Sequence, residues 1–316
     1  MYDQDRFPIP THHVPETSMS TTTSEATSDT VTREHVFGRN GVPLRLMRVH
    51  HHSECYPHRH EFSELVIVLR GTCIHRAPTG DYPIAAGDVF VLHGDEMHGY
   101  AHTEELDLVN ILFDMEALGI PSDDLRPLPG FHVLFSLEPM YRVRDRFDSR
   151  LRLPTDERRL IERLLVKLEA EQNQGRPGWQ FSAKAYFMLV LSELSRCYTH
   201  TDALTVRPLQ RLGRAIGYLE EHYREHISLD ELARVVGMSR RNLTRTFRDA
   251  MGCSPVQYLL RVRIRRAIEL LQEGESTISE AAAGVGFSDS NYFSRQFRSI
   301  MGHPPRDVMP RSLCRQ

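Results

Sequence analysis

The sequence predicts a two-domain α+β chain. An N-terminal β-barrel is followed by a helical linker and then by an all-α domain built from one two-helix unit drawn twice. Three observations carry this. Short β-branched runs (LVIVLRG, DVFVLHG, LDLVNILF) broken by Gly, Pro and Asp lie between about residues 36 and 114, the spacing of an all-β sandwich or barrel. Apolar residues fall at helical spacing from Thr155 onward, and the stretch 227–255 repeats at 276–305. A chain of 316 residues has room for two or three cores.

Taken in order, residues 1–34 read as a disordered tail. TSMSTTTSEATSDTVT, within it, lacks the large apolar groups that would offset ordering entropy. The barrel is placed at 35–150 and ends in the Pro-rich irregular IPSDDLRPLPG. The linker, 151–206, begins with a helix capped by Thr155, whose stripe is Leu160, Ile161, Leu164, Leu165 and Leu168. That stripe serves either a dimer interface or packing against the chain's own barrel. FSAKAYFMLVLSELSRCY is apolar almost all round and predicts a buried helix, and Asp202 to Pro208 predicts a hinge. The all-α domain occupies 207–316.

Composition narrows the function. Hydrophobic content of 40% and charged content of 26% are those of a globular protein. No run of about 18 apolar residues argues for a membrane span, and the N-terminal MYDQDRFPIPTHHVPE lacks a secretory pattern. Five scattered cysteines, odd in number and without CxxC spacing, suit reduced thiols in a cytoplasm. The net charge of −3 hides an asymmetry. Residues 207–316 hold 18 Arg and no Lys against 12 acidic residues, a local net of +6, leaving −9 on the rest. A basic module on an acidic body points to a polyanionic partner.

The repeat identifies that partner. ISLDELARVVGMSRRNLTRTFRDAMGCSP and STISEAAAGVGFSDSNYFSRQFRSIMGHPP each open on a capping box, Ser228 with Glu231 and Thr277 with Glu280. Each then turns at a glycine (Gly237, Gly286) and starts a second helix at Ser239, or at Ser288 or Asp289. Each ends at Gly252 or Gly302 with a proline three residues on. This is a helix-turn-helix twice over. With Leu243, Phe247, Phe293 and Phe297 turned inward, the outward residues include Arg240, Arg241, Thr244, Arg245 and Arg248, and Ser290, Asn291, Ser294, Arg295 and Arg298. Arg and Asn make two-point hydrogen bonds to guanine and adenine edges, and Ser and Thr serve either. Double-stranded DNA is therefore the expected partner. QYLLRVRIRRAIELLQEG, between the copies, predicts a brace helix about 15 residues or ~22 Å long. Arg261, Arg263, Arg265 and Arg266 lie off its apolar stripe, and some of them are expected at phosphates, with Arg265 the candidate singled out for test.

Residues 209–309 resemble the DNA-binding domain of the AraC/XylS family of transcription regulators, most closely in GFSDSNYFSRQFR and GHPPRDV. The resemblance implies base contacts from Arg241, Thr244 and Arg245 in the first unit and from Ser290, Asn291, Ser294 and Arg295 in the second. It also implies contact with RNA polymerase for an activator, and a homodimer.

HRHEFSELVIVLRG supplies the other chemistry. His58, His60 and Glu64 occupy even positions of one strand region and so share a face, and His98, Tyr100 and His102 are expected to share another. His58-x-His60-x3-Glu64-x6-Gly71 has the spacing of the first cupin motif. Gly87-Asp88-x4-His93-x4-His98 resembles the second, with His93 where cupins usually carry Pro and Asp95 where they carry Gly. The resemblance makes the barrel cupin-like, with a ligand pocket of His58, His60, Glu64, His98 and Tyr100. His58, His60, Glu64 and His98 form a donor set that suits Zn, Fe, Mn or Ni. HEFSELVIVLRGTCIH and GDVFVLHGDEMHGYAHTEELDLVNILF are similar to the sensor domains of the L-rhamnose regulators, which implies a sugar as effector.

Three readings of these histidines stand at this point: a catalytic centre, a sensor cavity with or without a divalent metal, or polar residues at a barrel mouth. Fusion to a DNA-binding module favours the second. The expectation is a cytoplasmic, sugar-responsive transcription regulator of the activator kind rather than an enzyme. The alternative from another class is a metal-dependent cupin enzyme with an autoregulatory DNA-binding domain. A third reading is a constitutive regulator whose barrel only dimerises.

Overall fold

A computed structural model describes residues 30–39, 41–78, 80–120, 124–142, 150–200, 207–274 and 276–310. Most of the expected tail and most of the expected hinge lie outside these. The tail's last residues do not fit the expectation: β1 (Thr30–Val31) pairs in parallel with Arg59–His60, and Thr32 caps α1 (Arg33–Phe37).

The sheet is built around two long strands, β4 (Ser63–Ala77) and β7 (His98–Phe113), paired antiparallel along their lengths. β2 (Leu44–Val49) and β3 (Cys55–His60) add to β7, and β5 (Gly80–Ala85) and β6 (Asp88–Leu92) add to β4. Register shifts between Val68 and Ile74 bend both strands and roll the sheet over on itself. Gly71 allows the bend, with φ of +77° and no room for a Cβ beside the Glu104 and Glu105 carbonyls. Opposite it, His102 and Glu105 also take positive φ.

Alternation sorts LVIVL onto two buried faces, which is why the run is apolar throughout. Val66, Val68, Phe90, Leu92 and Leu108 fill the interior of the roll with Cys73, Tyr82, Ile84 and Tyr100. Leu65, Ile67, Val89, Val91, Val109 and Ile111 face outward against helices.

Those helices are α2 (Met115–Leu118), α3 (Pro129–His132), a π-helical turn (Val133–Leu137), α4 (Glu138–Tyr141), α5 (Thr155–Gln174) and α6 (Trp179–His200). The boundary expected at residue 150 cuts through the fold, because β8 (Leu151–Arg152) pairs with β6. Residues 151–200 are thus part of the sensor domain and not a free linker. Pro154 takes the N-cap position and Thr155 is the first helical residue. Ile161, Leu165 and Leu168 are buried in the chain's own core, so most of the stripe is used within the chain. α6 is not apolar all round in use: Phe181 is 80% exposed and Leu189 48%.

The C-terminal domain is α7 (Arg207–Glu221), α8 (Leu229–Val235), α9 (Arg240–Met251), α10 (Pro255–Glu273), α11 (Ile278–Gly284) and α12 (Ser290–Met301), then a 3₁₀ turn at Pro305–Val308. Thr277 and Glu280 form the expected capping box. Ser228 caps the first copy, but the Glu231 carboxylate accepts from the Tyr218 hydroxyl instead of closing the box. Ser254 and Gln257 close a box on α10 that the repeat did not predict. α10, at 19 residues, is roughly 28 Å long and separates the two units.

Candidate functional sites: a buried histidine cluster and a paired DNA-reading face

His60, at the end of β3, Glu64 on β4 and His98 at the start of β7 converge inside the rolled sheet, all three buried. His60 Nε2 lies 3.0 Å and His98 Nε2 3.5 Å from Glu64 Oε2. One ligand atom from each of the three falls within 4.8 Å of the others. The tautomers follow from the backbone. His60 Nδ1 donates to the Phe62 carbonyl at 2.6 Å and His98 Nδ1 to the Glu96 carbonyl at 3.1 Å. Each Nε2 is left facing the Glu64 carboxylate, as a bare lone pair when the ring is neutral and as an N–H donor when it is protonated. A ring fixed through Nδ1 with Nε2 bare is how a metal-binding imidazole is oriented.

Burial alone would raise the Glu64 carboxyl, but the His60 and His98 imidazoles outweigh it and hold the group well below the ordinary range. His98 responds in the opposite sense: burial lowers it, and Glu64 more than restores it, so it titrates above its usual value. His75, stacked 6.1 Å from the His98 ring, is pushed down to about 3 by burial and the His98 and Arg142 charges. Burial also raises the Tyr100 hydroxyl far above its usual value and the Cys73 thiol to about 12. The Tyr100 hydroxyl and Asn110 Oδ1 are buried without a partner among the described residues.

His58 belongs to the neighbourhood but not to the trio. Its ring is 4.5 Å from His98, its Nδ1 faces the Tyr56 carbonyl, and it is only partly buried. The expected fourth metal ligand thus stands beside a three-residue set. His102 leaves the His98–Tyr100 face altogether, because the bend at φ +50° sends it to solvent.

On the other domain, α9 and α12 bury Leu243 and Phe247, and Phe293 and Phe297, and expose the faces expected from the repeat. Arg240, Arg241, Thr244, Arg245 and Arg248 line an open groove of about 730 Å³ with Leu229 and Asp249. Arg240 pairs with Asp230 and Arg245 with Asp249, at 3.6 and 3.5 Å. Exposed pairs of this kind are worth little and yield readily to phosphates or bases. Thr244 and Ser294 hydroxyls donate to the carbonyls four residues back, which leaves them acceptors outward. Ser290, Asn291 and Arg295 are at least partly exposed on α12, with Arg295 over the Tyr292 ring at 5.9 Å.

Arg265 is a correction. It turns away from the reading face and binds buried Glu220 at 2.6 Å, so it is not a phosphate contact. Arg263 likewise donates to the Tyr223 and Glu225 carbonyls, and Arg266 pairs with Glu269.

A helix-turn-helix domain model matches residues 232–311, and an AraC-like ligand-binding domain model matches 43–190. The HTH-type transcriptional activator RhaS of Escherichia fergusonii is 31% identical over 260 residues, 79% of this chain and 86% of that protein. Its namesake from Klebsiella pneumoniae is 30% identical over 256 residues, with the same shares covered. The chain belongs to the AraC family of transcription regulators. Among solved structures, an AraC-type regulator from Chromobacterium violaceum is 32% identical, covering 34% of this chain and 95% of that one at a TM-score of 0.31.

As an AraC-family member the chain is a DNA-binding regulator with a ligand-binding domain, and not an enzyme. Among the described residues no helix is long and apolar enough to cross a membrane. The structure also brings forward residues that sequence reasoning passed over. Asn242 is exposed on α9 and accepts from Arg245, so it shares the reading face. His75 reaches the cluster by regaining the inward face after the bulges of β4, and Asn110 lies on the same inward face of β7 as Leu108.

Proposed function

We propose that this AraC-family chain is a cytoplasmic, sugar-responsive transcription activator whose effector binds inside the rolled sheet, with a divalent metal held by His60, Glu64 and His98. The observation that carries the reading is a set of buried polar atoms turned inward: His60 Nε2 and His98 Nε2 around the Glu64 carboxylate, and the Tyr100 hydroxyl and Asn110 Oδ1, which have no hydrogen-bond partner among the described residues. Such groups are costly unless something satisfies them. Two neutral imidazoles and a carboxylate suit a borderline divalent ion and leave coordination positions open for a hydroxyl-rich ligand. Bound there, the ion would polarise and anchor ligand hydroxyls. Tyr100 and Asn110 would orient the ligand, and Val66, Phe90 and Leu108 would exclude water.

The resemblance to L-rhamnose regulators and the activator name of the relatives support the effector class and the sign of regulation. Homodimerisation and contact with RNA polymerase belong to the same reading. Exposed Val166, Phe181 and Leu189 on α5 and α6 offer apolar surface for a second copy. On the DNA, Arg241, Thr244, Arg245 and Asn242 would read one major-groove segment and Ser290, Asn291, Ser294 and Arg295 the next.

The test is a thermal-shift titration of the full chain with sugars and sugar acids, L-rhamnose included, before and after chelation. A saturable rise that chelation abolishes is the expected result. Glu64→Ala should lose the shift while keeping wild-type DNA affinity. No shift with any sugar, and none on chelation, would leave a constitutive regulator.

A further inference from the structure

The two departures from the second barrel motif, His93 and Asp95, sit in the turn between β6 and β7, and the turn is tied on both sides. On the cluster side, the Asp95 N–H donates to the His60 carbonyl at 2.9 Å, and the Glu96 carbonyl accepts from His98 Nδ1. Both histidines of the trio are thus bonded directly to this turn. On the other side, His93 Nε2 donates to the Phe135 carbonyl at 2.9 Å, inside the π-helical turn. Glu96 Oε2 accepts from Arg142 Nη1 at 3.2 Å. Arg142, itself buried, also binds Glu138 at 2.8 Å and the Val91 carbonyl at 2.6 Å, which locks α4 to the sheet.

The segment so gripped adjoins the DNA-binding domain. α7 approaches it through two glycines. A Cβ at Gly213 would lie 2.9 Å from Val133 Cγ2 and against the Pro129 carbonyl, and one at Gly217 would overlap the Pro127 carbonyl. The notch admits backbone against backbone. A π-helical turn is an irregularity that commonly marks a functional position in a helix. Here it holds Phe135, whose carbonyl takes the His93 bond, and Val133, which meets Gly213.

We propose that the turn 93–97 is a relay: displacement of His60 or His98 by an occupant of the barrel pulls the turn, which shifts residues 133–142 and, through the glycine notch, α7 and the first helix-turn-helix unit. The inference rests on the reading of the cluster as the effector site. It accounts for His93 and Glu96, which touch neither the trio's ligand atoms nor the DNA-reading face.

Hydrogen–deuterium exchange on the full chain tests it in two arms. In the first, without ligand, Glu96→Gln and His93→Ala should each speed exchange several-fold in peptides covering 133–141 and 207–221, with β4 and β7 unchanged. Unchanged exchange at 207–221 in both variants overturns the relay. In the second arm, Zn(II) is added. Wild type should change protection at 58–64 and at 207–221, and the variants should change at 58–64 only. Variants that keep the wild-type response at 207–221 also overturn the relay. A wild type with no zinc response at 58–64 rejects the metal reading instead, and the first arm then decides the relay alone.

Discussion

The two helix-turn-helix units share one sequence pattern and nearly the same caps, yet they are built into the molecule differently. The core of the first, Leu232, Val236, Leu243 and Phe247, is continuous with Leu212, Ile216 and Leu219 of α7 and from there with the sensor domain. The core of the second, Ala281, Val285, Phe293 and Phe297, is closed off behind the far face of α10 with Ile264, Ala267 and Leu271. The reading faces differ in step: four arginines on α9 against a Ser, Asn and Arg mixture on α12. A repeat therefore fixes the unit but not its employment. One copy is joined to the sensor, and the other follows through a rigid helix and the Arg263 contacts at the 223–225 loop.

The comparison can be broken at the seam. Arg265→Ala leaves the buried Glu220 carboxylate with the Tyr258 hydroxyl as its remaining side-chain hydrogen-bond donor among the described residues. Losing one side of a buried pair costs about 3 kcal/mol, to be read by denaturant unfolding. The slope of log affinity against log salt should stay as in wild type, since no phosphate contact is lost.

Acid should act at the same place. His132 is pushed down to about 4 by burial, partly offset by its bond to the Arg126 carbonyl and reinforced by the Arg126 and Arg265 charges. Its folded value lies below the unfolded 6.5, so the native imidazole stays neutral while the unfolded chain takes up a proton. The stabilisation is full above about pH 6.5 and is lost as pH falls toward 4, by about 3 kcal/mol. His132→Asn should flatten that limb of the stability–pH curve.

The glycines sharpen the contrast. Gly213→Ala should cost about 1–3 kcal/mol by overpacking, because its Cβ meets Pro129 and Val133. Gly284→Ala in the second unit meets only Leu270 Cδ1 at 3.6 Å and should be neutral or stabilising by up to about 1 kcal/mol. Equal losses at both positions, in paired unfolding curves, would erase the difference between the units.

On DNA, Arg245→Ala and Arg295→Ala should each cost on the order of 1–3 kcal/mol at the cognate site and relax preference at one base pair. Binding isotherms on single-base operator variants measure this. Equal losses on cognate and random DNA would remove the residue from the base-reading set.

Much of this was legible in the chain because it is local. Caps, turn glycines and i, i+4 apolar pairs are written within a few residues, so the buried and exposed faces of α9 and α12 could be drawn from those helices alone. His60 and Glu64 do meet, but not by period-2 spacing along one strand: the chain turns at residues 61–62 and places them on β3 and β4. What was hidden depends on long separations or on broken periods. Arg265 finds Glu220 across 45 residues, and on a helix surface nothing distinguishes it from a phosphate-binding arginine. His102 left its expected face because the bend of β7 interrupts the alternation that placed His98 and Tyr100. The first capping box stayed half open because Tyr218, from another helix, had a better use for Glu231. His93 looked like a departure from a motif until Phe135, 42 residues on, supplied its partner.

The short β1 has a consequence for handling the protein. Thr30 and Val31 run alongside Arg59 and His60, and the Arg33 N–H bonds to Glu61 at 3.0 Å just beyond. They shield the margin of β3, where free amides and carbonyls would otherwise recruit strands from other molecules. A version trimmed to start after Val31 would expose that margin beside His60, and its first symptom should be concentration-dependent association in light scattering rather than loss of helix.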